Sequence, residues 1–251
     1  MSKYEDEVNW GPHIHDQFKR QAKWTEDFRN QIFRQINLRN AKKILEVGCG
    51  TGVITEELKK KSNARITAVD IDEKMVEVAR KYVEGVHFLV EDAEKLSMKK
   101  ETFDIVISQY LFLWLSNPLN VLNQMIKVCK KGGYVIALAE PDYGGWIEYP
   151  EMNLGRKHVQ SLEQEGADPR MGRKMLTMFE KAGLKTYQII VAQSWNQENL
   201  RNNIEEEWRR VLESGLITEE EFDDILEKER ELIEKNQRMI FMPVFSVIGK
   251  K

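Results

Sequence analysis

The chain has only two cysteines in 251 residues, Cys49 and Cys129, too few for a disulfide framework or a zinc site. A cytoplasmic setting is the expectation. It has no apolar run approaching the roughly 18 residues of a membrane span, and its first ten residues, MSKYEDEVNW, contain no signal-peptide core. A soluble protein is expected. Charge of one sign is also lacking: Lys and Arg number 38 against 41 Asp and Glu, a net charge of −3, so no global attraction exists for DNA, RNA or an anionic bilayer. Repeats and low-complexity linkers are absent. His13 and His15 stand close together but lack further clustered ligands, so no metal centre is expected.

The chain is organised around residues 44–55, ILEVGCGTGVIT. Ile44, Leu45 and Val47 form a short apolar run like a buried parallel strand, glycines follow at 48, 50 and 52, and residues 53–61 read as a helix. Glycine has no Cβ in the way of a ligand, and the first helical N–H groups are free to meet one. The turn Gly48-Cys49-Gly50-Thr51-Gly52 therefore suits a nucleotide-like cofactor. Charge narrows the choice. A dinucleotide turn wants a small residue at position 53 and no anion beside the pyrophosphate, whereas this chain has Val53 and Glu46. A carboxylate suits a ligand carrying an ammonium and a sulfonium, which describes S-adenosylmethionine.

ILEVGCGTG resembles motif I of the class I S-adenosylmethionine-dependent methyltransferases, and the resemblance continues downstream. Asp70, closing the apolar run 66–69 and followed by Ile71, stands where the family places an acid that accepts both ribose hydroxyls. Asp72 caps the next helix, Met75 in its first turn takes the place of the family's adenine-packing residue, and Asp92-Ala93 resembles the pair that reads the adenine edge. The apolar run 103–107 ends at Ser108-Gln109-Tyr110, which puts Gln109 and Tyr110 at the carboxyl edge of a central strand among the ligand contacts. Positions 108–111 read Ser-Gln-Tyr-Leu and lack the Asn/Asp-Pro-Pro-Tyr/Phe motif of enzymes that methylate amino groups of nucleobases or glutamine. That chemistry is not expected.

Strands alternating with helices imply a doubly wound α/β fold. With the family's arrangement, the sheet is seven-stranded and mostly parallel, with the last strand antiparallel. One Rossmann-like methyltransferase domain is expected over residues 1–251: a lead-in at 1–40, a cofactor-binding core at 41–192, a helical insert at 196–238 and a final strand at 239–251. The lead-in reads as one amphipathic helix. Pro118 opens a helix with Cys129 on its buried face and Gly132-Gly133 as its stop, and Asp168-Pro169 reads as the capped start of another. Arg156 and His158 lie on a helical stretch and are expected to be exposed. The insert has 14 acids against 7 bases, Thr218 with Glu221 forms a capping box, and Pro243 belongs at an edge or a bulge of the last strand.

The resemblance implies methyl transfer from S-adenosylmethionine to a small-molecule acceptor, with S-adenosylhomocysteine as product. An RNA or protein methyltransferase, or a non-catalytic cofactor-binding module, is the alternative. Trp24, Trp114 in the cluster LFLWL, and Tyr143, Trp146 and Tyr149 in the loop after the strand at 134–139 are the candidate substrate wall; Trp10, His13 and His15 join Trp24 as pocket candidates. No nucleic-acid or membrane partner is expected. In-line displacement at a sulfonium gains most from alignment and exclusion of water, so no universal catalytic residue is required. Tyr110, His15 and His158 are the candidate bases for an acceptor that must lose a proton.

Overall fold

The computed structural model describes residues 14–251, so Trp10 and His13 lie outside the described residues. At the centre stands β1 (Lys43–Val47), in which Ile44, Leu45 and Val47 are fully buried. Helices cover both faces of this strand, which is why it reads as an unbroken apolar run instead of an alternation. On one side it pairs in parallel with β2 (Arg65–Asp70), which pairs with β3 (His87–Val90). On the other it pairs in parallel with β4 (Phe103–Ser108), followed by β5 (Cys129–Pro141). The winding reverses between β1 and β4, and at such a reversal an open α/β sheet leaves a crevice beyond the carboxyl ends of its strands.

The sheet has eight strands where seven were expected. The extra one is β6 (Ile147–Tyr149), three residues of the loop after β5 that pair with the start of the long last strand, β8 (Met239–Lys250). β8 runs antiparallel to β5 and outruns it, and its free length takes up the loop. β7 (Lys185–Ser194) pairs antiparallel along the opposite side of β8, so β8 is an interior strand. Pro243 is thus not at a sheet edge. The β5 pairing ends at Val244 and the β6 pairing begins at Phe241, and in that interval the Pro243 carbonyl accepts the Asp142 N–H at 3.0 Å. The missing N–H of proline falls on the same side of the strand, where the ladder is interrupted.

On one face, Ile44, Ile66, Ile105, Ile107 and Ile136 pack under α2 (Glu26–Gln35) and α3 (Val53–Lys61). On the other, Leu45, Val47, Val106 and Val135 pack under α5 (Pro118–Val128) and α7 (Met175–Lys181). α4 (Glu73–Tyr82), capped by Asp72 accepting the N–H groups of Lys74 and Met75, lays Val76 and Ala79 on Ala68 and Phe88. The lead-in is two helices, α1 (Ile14–Trp24) and α2, because the Ala22 carbonyl accepts from the Thr25 hydroxyl and from Arg29 Nη1 at the junction. Two helix boundaries also differ from expectation. α5 stops at Val128 and Cys129 opens β5; Gly133 lies within that strand, where a Cβ would come 2.6 Å from the Asp104 carbonyl oxygen. Asp168 caps a turn through the Arg170 N–H, and α7 begins only at Met175.

The insert is a helical hairpin, α8 (Gln197–Glu213) and α9 (Glu219–Glu234), the second opened by the Thr218–Glu221 capping box. It buries Trp208, Leu226 and Ile233 with Leu154 of α6 (Leu154–Gln164) and Ile240 of β8. A buried polar knot fastens it. Arg238 donates to both oxygens of Glu229, to Glu148 of β6 at 2.6 Å and to the Pro150 carbonyl, while the Trp208 indole N–H donates to Glu229 at 2.9 Å. Removing one partner of such a pair strands the opposite charge in the interior, which costs roughly 3–5 kcal/mol. Arg238→Ala is therefore expected to lower the unfolding free energy by about that amount in urea denaturation, and Arg209→Ala, on an exposed pair of α8, by less than about 1 kcal/mol.

Candidate active site

The glycine turn lies in the crevice between β1 and β4. Gly48, Gly50 and Gly52 all hold positive φ, at +73°, +49° and +83°. Two of them are also closely approached by side chains. A Cβ on Gly48 would meet Leu111 Cδ1 at 2.8 Å, and one on Gly52 would meet Ala79 of α4 at 3.0 Å. The N–H groups of Gly48 and Cys49 both donate to the Val69 carbonyl, which ties the turn to the end of β2. Asp70 follows directly, and its two oxygens accept the N–H of Gly50 at 2.7 Å and of Asp72 at 3.1 Å. Each oxygen keeps a further lone pair for a ligand hydroxyl. Burial raises this carboxyl above its ordinary range, against the pull of its backbone donors.

Glu46 lies beneath the turn and is 2% exposed. Among the described residues its one hydrogen bond is from the Thr55 hydroxyl, at 2.5 Å, and burial pushes its carboxyl up to about 8. Among the described residues no cationic side chain pairs with it. Cys49 is buried and its thiol is raised by burial first and then by Glu46, so it is an inert filler of the turn. Thr51 is buried and shares a 3.0 Å hydrogen bond with His15 Nδ1, whose ring is stacked on Tyr82 at 3.6 Å. Phe18 of α1 lies over Gly50 and Leu111 over Gly48. The turn is thus covered by movable side chains, while hollows of about 370 and 340 Å³ lie on the flanks of α6 and of α2. Asp92 accepts the Glu94 N–H at 2.8 Å and opens the short turn that carries Ala93. Met75, in the first turn of α4, is 5% exposed, whereas Ile71, next to Asp70, is 57% exposed and offers apolar surface there.

The adjoining ends of β4 and β5 concentrate unsatisfied polarity. Among the described residues the buried Ser108 hydroxyl and Gln109 Oε1 have no hydrogen-bond partner, and Tyr110 holds the left-handed φ of +52° that bulky residues avoid. Glu140, at the end of β5, accepts the N–H groups of Leu111 and Phe112 through Oε1 at 3.0 and 3.1 Å. Among the described residues its Oε2 has no hydrogen-bond partner, and burial pushes this carboxyl up to about 7.

An aromatic wall rises beside these strand ends. Tyr143 and Trp146 lie near-parallel at 6.3 Å, Trp146 meets Trp195 at 6.4 Å, and Trp195 meets Trp24 at 5.6 Å. Three of the five wall candidates therefore come together, joined by Trp195. Trp114 packs against the core under α5, and Tyr149 stands on the outer side of β6 at 68% exposed, because in a strand alternate side chains face opposite ways and Glu148 takes the inward place. His158 is buried, against expectation, with Nε2 3.1 Å from Glu207 of α8 and its ring against Tyr143 and Trp146. Burial works to raise Glu207, but Arg210 and His158 outweigh it and hold this carboxyl at about 2. Glu207 has a readable signal: it falls in the helical stripe Leu200, Ile204, Trp208, Val211.

The residues present fit an S-adenosyl cofactor. Three positive-φ glycines form a cradle that a Cβ would fill, an acid with spare lone pairs ends β2, and a carboxyl without a cationic partner waits below. Among the described residues no group of three or more His, Cys, Asp or Glu is placed to hold a metal, and no helix is long and apolar enough to cross a membrane. A family of proteins described as a methyltransferase domain matches residues 45–137. A malonyl-[acyl-carrier protein] O-methyltransferase of Bacillus anthracis is 37% identical over 108 residues, 42% of this chain and 40% of that protein. This chain thus spans about two-fifths of that relative. A phosphatidylethanolamine N-methyltransferase of Cereibacter sphaeroides is 30% identical over 180 residues, 66% of this chain and 87% of that protein. Among solved structures, a SAM-dependent methyltransferase of Aquifex aeolicus has a TM-score of 0.51 at 21% identity, covering 64% of this chain and 81% of that one, a likeness of fold.

The raised Glu46 carboxyl has a measurable consequence. The folded chain keeps this proton to about pH 8, whereas the unfolded chain releases it near 4.5, so stability falls as pH rises through that interval. Glu46→Gln removes this dependence. Between pH 5 and 7.5 its unfolding free energy is expected to fall less steeply than that of the parent, by about 1.4 kcal/mol per pH unit, in denaturant titrations at several pH values.

Proposed function

This chain belongs to the class I S-adenosylmethionine-dependent methyltransferases, and we propose that it transfers the cofactor's methyl group to a metabolite-sized acceptor held between the ends of β4 and β5 and the aromatic wall. The observation that carries the reading is the glycine cradle with Asp70 closing β2 and Glu46 beneath. In it, Gly48 and Gly50 leave the backbone open to the ligand and Asp70 receives ribose hydroxyls. Ile71 covers one adenine face, Asp92 and Ala93 meet its edge, and Glu46 takes the ammonium. Cys49, Thr51 and Gly52 shape the turn, and Gln109 and Tyr110 approach the methyl-bearing end. When bound, the cofactor supplies a methyl group on a positively charged sulfur. The protein's own contribution is alignment and dryness: Leu111 and Phe18 shift aside to admit the ligand, and α1 and the insert, joined by Arg20–Glu206 at 3.0 Å, keep solvent out.

A small acceptor is favoured because the wall is aromatic and the insert beside it, with 14 acids against 7 bases, is ill suited to a phosphate backbone. The two relatives are named for a malonyl group on acyl carrier protein and for phosphatidylethanolamine, so their names do not choose the acceptor.

Calorimetry is expected to show binding of S-adenosylhomocysteine but not of NAD, and Asp70→Ala should weaken the former by roughly 1.5–3 kcal/mol. Incubation with methyl-labelled cofactor and size-fractionated cell extract should label the low-molecular-weight fraction; label confined to RNA or protein would refute the small acceptor. Trp146→Ala should raise the apparent acceptor constant or lower turnover with cofactor affinity unchanged, whereas Tyr149→Ala, on the outer side of β6, should leave both unaltered.

A further inference from the structure

Two buried carboxyls at the carboxyl edge of the sheet have no cationic partner among the described residues, Glu46 and Glu140. The first lies under the cofactor cradle. The second is 0% exposed and half satisfied: Oε1 holds the Leu111 and Phe112 N–H groups, and Oε2 has no hydrogen-bond partner among the described residues. Its position is bracketed on both sides. Leu111, which it anchors, covers Gly48, and Tyr143, three residues after Glu140 in the chain, opens the aromatic wall against Trp146. The carboxyl therefore stands between the cradle and the aromatic wall. The other charges nearby are already matched, since Glu207 is shared by His158 and Arg210, and Arg29 is held by Glu57. An acceptor bearing a carboxylate would bring a second unpaired anion into this dry space, while one bearing an ammonium would supply the missing partner.

Resting on the methyltransferase reading above, we infer that the acceptor is an amine, bound as its ammonium ion, and that Glu140 Oε2 takes the proton that must leave nitrogen before methyl transfer. The ammonium gives one N–H proton to the carboxylate, leaving a neutral amine and a protonated Glu140. The nitrogen lone pair then forms the N–C bond as the S–C bond breaks, and that electron pair stays on sulfur. The methylated product carries the positive charge, which the faces of Tyr143 and Trp146 accommodate, and Glu140 returns its proton to solvent.

The test uses the full chain loaded with S-adenosylhomocysteine and three probes of one size: propylammonium, propionate and 1-propanol. Binding is read by tryptophan fluorescence and ligand-observed NMR. Propylammonium is expected to bind at least about tenfold more tightly than either other probe. Glu140→Gln, whose amide oxygen still accepts the Leu111 and Phe112 N–H groups, should erase that preference while S-adenosylhomocysteine binds within about threefold of the parent. Absence of saturable propylammonium binding, a preference for propionate, or an unchanged preference in Glu140→Gln would overturn the inference and leave the cofactor assignment standing. Failure of the parent chain to bind S-adenosylhomocysteine would remove the methyltransferase reading itself, and this inference with it.

Discussion

Taking a carboxyl group out of water is among the costliest things a folded chain does, and here it is done at Glu46, Glu140 and Glu207 around one crevice. The three are stabilised differently. Glu207 keeps its charge because Arg210 and His158 surround it, whereas Glu46 and Glu140 have only hydroxyl or amide donors and are pushed toward their neutral forms. The surrounding structure follows from supporting these groups: α8 must lie against α6 for Glu207 to reach His158, and the segment after β4 must fold back on β5 for Glu140 to find its two N–H groups. A site set this way gains most from a positively charged ligand, whose arrival would favour the charged forms of Glu46 and Glu140.

Much of the scaffold was legible because its causes are local. β1, β2 and β4 are buried on both faces, so their apolar runs are continuous, and the glycine turn announces itself through residues with no Cβ. The Asp72 cap and the Thr218–Glu221 box also rest on chemistry within four residues. The site was legible only where motif and strand end coincide. Glu140 closes an apolar run as Glu46 does, but without a glycine turn after it nothing marked it. His158 looked like a surface residue because its partner lies 49 positions away on α8, and Glu207 was hidden among the insert's 14 acids, where composition suggests a solvated face. The placing of Tyr149 and Met75 has a different cause, since strand alternation turns one outward and α4 turns the other inward.

The insert also has a second character. Its acidity suggests a solvated outer surface, yet Glu207 and Glu229 are buried and each is tied to a different part of the scaffold, one to His158 on α6 and the other to Arg238 and thence to β6. The hairpin is therefore anchored at two polar points as well as along its apolar stripe. Motion of it as a rigid body would strain both anchors, whereas a shift of α1, tied to it by the exposed Arg20–Glu206 pair, would strain neither.

The interior position of β8 bears on how the chain is made. β7 has β8 as its strand partner, and β5 has β8 on its outer edge, yet β8 is the last of these to leave the ribosome. Until it emerges, β5 presents an unpaired apolar edge and β7 has no sheet to join. Nascent chains of this topology depend on β8 to convert two open edges into closed ones at once, so the interval before β8 emerges is the one in which edge-to-edge aggregation competes with folding.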